Sequence, residues 1–324
     1  MYMKSIALFT SGGDSPGMNA CIRAVVRTAL HHGVTVYGIR YGYQGMITGD
    51  FVKMDAKSVA NIIHRGGTIL KTARSKEFMT PEGMKKAAAN IQKYNIEGIV
   101  AIGGDGTFRG ALAFQEFCKI PVIGCPGTID NDLAGTDYTI GFDTAINTVV
   151  EAVDRIRDTA ESHNRIFVVE VMGRDSGQIA LYSGVGVGAE GIMIPETKND
   201  MRAVMELLGR SRKDKKSKII IVAEGDEDGG ALAVSEKIKT NFPEADVRVT
   251  ILGHVQRGGA PTCMERVNAA RMGHEAVNSL LQGRKMEMIG IVSGKIAFTP
   301  FANAVKQHVE PDPSLLTMTK ILAS

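Results

Sequence analysis

The sequence predicts an α/β protein with two doubly wound domains of mostly parallel sheets, and three observations carry that prediction. Short apolar runs recur along the chain, and glycine-rich turns follow many of them. Segments with helical apolar spacing separate these runs, which indicates parallel strands covered by helices on both faces. Since one hydrophobic core rarely serves a chain of 324 residues, we expect two domains.

The composition is that of an ordinary soluble globular protein, with 44% hydrophobic and 23% charged residues. A net charge of +3 gives no reason to expect nucleic acid or a membrane surface as the main partner. The four cysteines are widely spaced, which argues against a disulfide framework or a CxxC zinc site and favours a reduced, cytoplasmic setting. We expect neither a signal peptide nor a membrane span.

The first strand, helix and turn form a unit suited to phosphate. Ser5–Thr10 predicts a buried strand that runs into the glycine turn Ser11–Asn19 (SGGDSPGMN). Apolar residues at helical spacing between Ile22 and Ala29 predict the next helix, which ends near Gly33. Backbone N–H groups at the start of this helix could bind a phosphate, or the glycines could serve only a tight reversal.

The alternation continues through the next segments. Val34–Tyr41 predicts a strand, residues 56–65 a helix, Ile69–Arg74 a strand and Pro81–Tyr94 a helix. Arg74 is a candidate phosphate contact, although an isolated arginine is more often an ordinary surface residue.

A second glycine turn carries an acid. Gly98–Ile102 predicts a buried strand, and Gly103–Thr107 (GGDGT) follows it. Three glycines around Asp105 would let the backbone approach a triphosphate while the carboxylate faces its magnesium ion, and a purely structural turn is the alternative.

A third turn carries two acids. Ile120–Gly124 predicts a strand that leads into Pro126–Asp132 (PGTIDND). If this segment is extended, Asp130 and Asp132 point to the same side, so one could take a proton while the other helps to hold a cation. The alternative is an Asx-turn. We favour a phosphate site, because all three turns follow strands and ligands gather at the carboxyl ends of parallel strands.

The second half repeats the pattern. A helix is predicted for residues 144–162, and buried strands are predicted for Ile166–Val171, Lys218–Ala223 and Val247–Leu252. The basic residues around the last of these strands could hold a phosphate dianion; they are Arg248, His254 and Arg257.

Six motifs together strongly resemble the bacterial ATP-dependent 6-phosphofructokinases. In chain order they are SGGDSPGMN (11–19), GGDGT (103–107), PGTIDND (126–132), MGR (172–174), AEG (223–225) and GHVQRGG (253–259). The resemblance covers nearly the whole chain. It implies a homotetramer whose subunits have two domains with the active site in the cleft between them. The expected domains are an ATP-binding one, residues 1–141 and 256–305, and a fructose 6-phosphate-binding one, residues 142–255 and 306–324.

The resemblance also implies roles for individual residues. Asp130 is the expected base, with Arg74, Arg174 and Thr128 as further catalytic residues, and Asp105 and Asp132 are the expected magnesium contacts. The residues implied to bind ATP are Gly13, Tyr43, Arg74, Gly104, Asp105, Gly106 and Thr107. Those implied to bind fructose 6-phosphate are Thr128, Asp130, Asp132, Met172, Gly173, Arg174, Glu224, His254 and Arg257, with Arg165 and Arg248 reaching from a neighbouring subunit.

Two further sets of residues bear on the donor and on regulation. Pyrophosphate-dependent relatives typically carry Asp at position 106 and Lys at position 127, whereas both are glycine here, which favours ATP. The resemblance implies a site for ADP or phosphoenolpyruvate at Arg23, Arg27, Arg157, Glu190, Lys213 and Lys215. Departures from the family pattern at Ala56, Asn61 and Ser217 predict effector control that is weakened or changed in sign. A further departure, Asp175, adds a negative charge that is expected to alter the affinity for the sugar phosphate.

Three alternatives remain at this stage. The GGDGT-type turn also occurs in other kinases of the broader superfamily, such as NAD kinases and lipid kinases. A pyrophosphate-dependent enzyme is the second alternative. The third is a catalytically silent sugar-phosphate sensor, which would be expected to lack Asp130, Asp105 or Arg74; all three are present.

Overall fold

The structure is a computed structural model that describes residues 3–163, 165–198, 200–210, 217–306 and 310–322. The chain divides into two compact units. The first unit comprises Met1–Ile129, Leu133–Thr144 and Arg257–Gln307, and the second comprises Asp130–Asp132, Ala145–Gln256 and His308–Ser324.

Strands and helices alternate along most of the chain. The described strands are β1 (Ser5–Thr10), β2 (Thr35–Ile39), β3 (Phe51–Met54), β4 (Gly98–Gly103), β5 (Val122–Thr128), β6 (Ile140–Gly141), β7 (Ile166–Val171), β8 (Gly191–Met193), β9 (Lys218–Ala223), β10 (Val247–Ile251), β11 (Glu287–Val292) and β12 (Lys295–Pro300). The described α-helices are α1 (Met18–His31), α2 (Gly42–Thr48), α3 (Pro81–Lys93), α4 (Asp105–Phe114), α5 (Phe142–His163), α6 (Gln178–Gly186), α7 (Asp200–Arg210), α8 (Gly230–Asn241), α9 (Cys263–Leu281) and α10 (Pro313–Leu322).

The first unit contains a sheet with strand order β12-β11-β5-β4-β1-β2-β3, and β6 pairs with β5. Neighbouring strands are parallel, except that β3 and β12 run antiparallel at the two edges. Because β1, β4 and β5 are parallel, the glycine turns that follow β1 and β4 and the end of β5 meet at one edge of the sheet.

Both faces of this sheet are covered, as the apolar runs predict. Ile6 and Leu8 of β1 join the core beneath α1 and α9, whereas Ala7 and Phe9 join the core beneath α2, α3 and α4. Successive side chains of a strand point to opposite faces, so a strand buried on both faces must be apolar throughout.

The second unit contains a smaller sheet with strand order β10-β7-β9-β8, and its strands are all parallel. Val168, Ile220 and Val222 pack there with Val204 of α7 and Val234 of α8. The fold class predicted from the sequence is therefore confirmed in both units. Among the described residues, no helix is both long enough and apolar enough to cross a membrane.

Two sequence-based assignments are wrong. Residues 56–65 were expected to be a helix and Ile69–Arg74 a strand, but residues 55–75 form turns and irregular chain. Asn61 (φ 54°) and Lys71 (φ 60°) take left-handed backbone conformations, which interrupt both regular structures. Side chains of β1 and α1 hold this segment through hydrogen bonds that local periodicity does not reveal.

We expect Phe108→Ala to lower the free energy of unfolding by about 3–5 kcal/mol, because it leaves a cavity in a packed core. Phe108 is fully buried, and its ring lies 4.8 Å from that of Phe301. Urea titration measures the loss. Leu112→Ala in the same helix is the control, since Leu112 is 37% exposed; an equal loss in both variants would contradict the prediction.

Candidate active site

The first glycine turn is packed against Arg257. A Cβ atom on Gly13 would lie 2.5 Å from Nη1 of Arg257, so this position has no room for a side chain unless Arg257 moves. The same Nη1 donates a hydrogen bond to the carbonyl oxygen of Asp14 (3.2 Å). The structure thus brings together two predicted site residues, one for ATP and one for the sugar phosphate.

The second glycine turn opens α4. Gly104 is the residue before the helix, and no side chain caps the helix there. The N–H groups of a first helical turn point towards the N-terminus of the helix, which here lies at the glycine turn. A Cβ atom on Gly103 would lie 2.3 Å from Oγ1 of Thr107 and 2.6 Å from the Ser11 carbonyl oxygen. This close approach places the two glycine turns side by side, and an N-terminus of this kind suits a phosphate.

Tyr43 supports the second glycine turn from beneath. Its ring is 7% exposed and stacks on Phe78, with the ring centroids 3.9 Å apart. Its hydroxyl donates to the carbonyl oxygen of Thr107 (2.6 Å). Burial raises the pKa of the Tyr43 phenol well above its ordinary value, so the hydroxyl keeps its proton. This contact positions the turn around Asp105.

Asp130 and Asp132 are both buried, at 5% and 7% exposure. The extended geometry considered for them does not occur, because Asn131 between them has φ 51°. A left-handed residue breaks the alternation of side chains along a strand. Upstream, the strand β5 continues through the Pro126–Gly127 pair to Thr128, whose carbonyl oxygen accepts a hydrogen bond from Oγ1 of Thr139 (2.7 Å).

The turn that carries Arg174 brings its guanidinium to Asp130, with Nε 4.0 Å from Oδ2. Arg174 has φ 56°, and its N–H donates to Oε1 of Glu224 (2.9 Å). A Cβ atom on Gly225 would lie 1.8 Å from the Arg174 carbonyl oxygen, so these two turns are in direct backbone contact. On the other side, Ser176 Oγ donates to the Asp130 carbonyl oxygen (2.9 Å).

Two buried polar residues that the sequence analysis did not assign support these turns. Gln256 is fully buried; its Oε1 accepts from the N–H of Met172 (3.2 Å) and its Nε2 donates to the Gly253 carbonyl oxygen (3.1 Å). The second of these residues is Ser176, whose Oγ donates to the Asp130 carbonyl oxygen. Gln256 lies inside the GHVQRGG motif and Ser176 lies two residues after the MGR motif, so proximity to motifs was the available signal.

Arg165 directly precedes β7, and Arg248 lies on the neighbouring strand β10 of the second unit. Both bind Asp246: Arg165 Nε lies 2.7 Å from Oδ2 and Arg248 Nε lies 2.9 Å from Oδ1. The Arg165 guanidinium in particular holds the pKa of Asp246 below its ordinary value. His254 is exposed in the segment that follows β10.

Residues of the expected effector site occupy varied surroundings. Arg27 is exposed on α1 and Arg23 is half-buried. Arg157 Nη2 donates to the Val187 carbonyl oxygen, and Glu190 is buried with its Oε2 accepting from the N–H of Ile219. Lys213 and Lys215 lie outside the described residues.

The expected magnesium contacts fit a nucleotide-bound ion. Among the described residues, no group of three or more His, Cys, Asp or Glu side chains could hold a metal. Mg²⁺ commonly uses only one or two carboxylates together with waters and substrate phosphates. The position of Asp105 suits this role, because it opens α4 beside the glycine turn. Its Oδ1 pairs with Arg109 Nε (2.9 Å), a contact that a metal ion would have to replace at that oxygen.

Comparisons with known proteins identify relatives of this chain. The family model described as phosphofructokinase matches residues 5–280. The chain is 56% identical to ATP-dependent 6-phosphofructokinase 1 of Thermus thermophilus, covering 99% of this chain and 100% of the relative. It is 52% identical to ATP-dependent 6-phosphofructokinase of Cytophaga hutchinsonii, covering 99% and 98%. The structure of phosphofructokinase from Saccharomyces cerevisiae matches with TM-score 0.88 and 38% identity, over 99% of this chain and 48% of the yeast chain.

Parallel sheets with glycine turns and buried acids at their strand ends define an α/β protein of the phosphate-binding class. The family model and the relatives narrow this class to a single family. The chain belongs to the phosphofructokinase family. The family resemblance inferred from its six motifs is therefore confirmed.

Proposed function

We propose that this protein is an ATP-dependent 6-phosphofructokinase, which transfers the γ-phosphate of ATP to the 1-hydroxyl of fructose 6-phosphate in glycolysis. The observation that carries the mechanism is the buried Asp130 with Arg174 Nε 4.0 Å from its carboxylate. A buried acid beside a cation is suited to a reaction that removes a proton while negative charge moves between oxygens.

In this mechanism Asp130 takes the proton of the sugar 1-hydroxyl as that oxygen attacks the γ-phosphorus. Arg174 and Arg74 offset negative charge on the transferring group, and Thr128 contacts the sugar phosphate. The remaining residues proposed to hold fructose 6-phosphate are Asp132, Met172, Gly173, Glu224, His254 and Arg257, with Arg165 and Arg248 from a neighbouring subunit.

The first unit supplies the proposed ATP site. Its residues are Gly13, Tyr43, Arg74, Gly104, Asp105, Gly106 and Thr107. Asp105 would hold the magnesium ion, with Asp132 supporting it, and the ion would offset negative charge on the phosphates. The Tyr43 hydroxyl holds the Thr107 carbonyl, which keeps the glycine turn in place.

ATP is the proposed phosphoryl donor, and a direct comparison of donors tests it. We expect turnover of fructose 6-phosphate with magnesium and ATP, and none above background with magnesium and pyrophosphate. Gly106 supports this expectation, because a Cβ atom there would meet nothing within 4 Å, which leaves space beside Asp105. Release of fructose 1,6-bisphosphate is measured with a coupled assay. Turnover only with pyrophosphate would refute the assignment.

We further propose a cytoplasmic homotetramer with altered effector control. The features that support altered effector control are the departures from the family pattern at Ala56, Asn61 and Ser217. Asn61 lies in the irregular segment with φ 54°, and Ser217 is 7% exposed. Fructose 6-phosphate saturation curves with and without ADP or phosphoenolpyruvate test the proposal. Curves that coincide would refute effector control.

A further inference from the structure

Asn19 makes a buried set of hydrogen bonds that the mechanism above does not use. It is the second residue of α1 and is 1% exposed. Its Nδ2 donates to the carbonyl oxygens of Arg65 (3.0 Å) and Gly66 (3.1 Å), and its Oδ1 accepts from the N–H of Ile69 (2.8 Å). One amide therefore holds both ends of residues 65–69, which form most of the loop of residues 65–71.

The loop has a second attachment close to the first. Thr10 Oγ1 lies 2.9 Å from Thr68 Oγ1 and donates to the Lys71 carbonyl oxygen (2.9 Å). On its other side the loop contacts the segment after Arg257, since a Cβ atom on Gly66 would lie 2.3 Å from the Gly259 carbonyl oxygen. The loop is thus held between β1, α1 and the Gly258–Gly259 pair, all within the first unit.

Arg74 lies three residues beyond Lys71, where this loop ends, and is itself exposed. The chain between Lys71 and Arg74 has no regular structure, and Lys71 takes a left-handed conformation (φ 60°). The guanidinium therefore has no strand or helix to orient it. Its position depends on where the loop of residues 65–71 is held.

We propose that Asn19 is a positioning residue for Arg74: it fixes the loop of residues 65–71 so that the guanidinium stays directed at the transferring phosphoryl group. The inference rests on the role given to Arg74 in the proposed function. A shift of about 1 Å in a charged group can cost on the order of 100-fold in rate, so loosening the loop lowers turnover without removing any reacting group.

A double-mutant cycle tests this inference. Asn19→Asp has nearly the same shape and keeps an oxygen for the Ile69 N–H, but it loses both donations and sets a negative charge against two carbonyl oxygens. We expect kcat at saturating substrates to fall by about 10²–10³-fold in Arg74→Ala, and by roughly 10–100-fold in Asn19→Asp. If Asn19 acts through Arg74, the double variant is no slower than Arg74→Ala alone.

Asn90 offers a matched control in the same unit. Its Nδ2 also donates to two backbone carbonyl oxygens, those of Met46 (3.0 Å) and Ile47 (2.8 Å). Asn90→Asp therefore makes the same chemical change away from the loop. We expect the factor by which Asn90→Asp lowers kcat to multiply with the factor for Arg74→Ala. We also expect Asn90→Asp and Asn19→Asp to lower Tm by similar amounts.

The outcomes separate this inference from the proposed function. If Arg74→Ala lowers kcat and the losses of Arg74→Ala and Asn19→Asp simply multiply, Asn19 has only a structural role and the inference is overturned. If Arg74→Ala leaves kcat unchanged, the role of Arg74 fails, and the inference fails with it. If Asn19→Asp does not fold, the cycle is repeated with Asn19→Ser, whose uncharged hydroxyl is too short for the same hydrogen bonds. If the decreases in kcat of Asn19→Ser and Arg74→Ala multiply, the inference is overturned in the same way.

Discussion

Asp130→Asn is expected to lower kcat by about 10²–10⁴-fold, the usual contribution of a general base. The amide has almost the same shape as the carboxylate but cannot take the proton of the sugar hydroxyl. The fold should be retained, because the hydrogen bond from Ser176 Oγ goes to the backbone carbonyl oxygen of Asp130. A coupled assay at saturating ATP and fructose 6-phosphate measures kcat, and thermal unfolding reports on the fold.

Asp50→Asn is the matched control. Asp50 pairs with Arg40 (2.6 Å) at the surface of the first unit, and such exposed pairs contribute little to stability. We expect its kcat to equal that of the unchanged protein. Little loss in Asp130→Asn, with a normal Tm, would show that Asp130 is not the base.

Gly106→Asp is expected to raise the KM for ATP by about 10²-fold or more, because like charges brought together in a binding site cost several kcal/mol. Gly106 lies in the first turn of α4 beside Asp105, and a Cβ atom there would meet nothing within 4 Å. The new carboxylate therefore fits without distorting the helix. It places a second negative charge where the ATP phosphates are proposed to bind.

Gly209→Asp is the control for this substitution. Gly209 is an exposed residue of α7 in the second unit, and a Cβ atom there also meets nothing within 4 Å. Initial rates at varied ATP concentration give both KM values. An unchanged KM in Gly106→Asp would place the phosphates elsewhere, and an equal rise in both variants would point to a general effect of charge.

The fold class could be predicted from the sequence because its signal is local. Residues 6–9, the centre of the strand Ser5–Thr10, are apolar throughout, as expected of a strand covered on both faces, and each residue of the strand is buried. The same reasoning fails for residues 55–75. Their spacing resembles a helix and a strand, but Asn19 and Thr10, distant in sequence, hold their backbone in turns.

The candidate site also has features that local sequence reveals and features that it does not. Its acids and glycines could be predicted from motifs, because the motifs consist of particular residue types at fixed spacing. The contacts that orient them could not, since Gly225 meets the Arg174 carbonyl and Gln256 accepts from the Met172 N–H across long separations in sequence.

Residue types and their order were therefore sufficient for the family and the parallel sheets, and they predict the residues that carry the chemistry. The tertiary structure alone decided that Asn131 adopts a left-handed conformation between the two acids, that Arg174 approaches Asp130, and that Tyr43 is buried beneath the glycine turn. The physical reason is that periodicity and motifs report on neighbours along the chain, whereas hydrogen bonds and close packing join residues that only folding brings together.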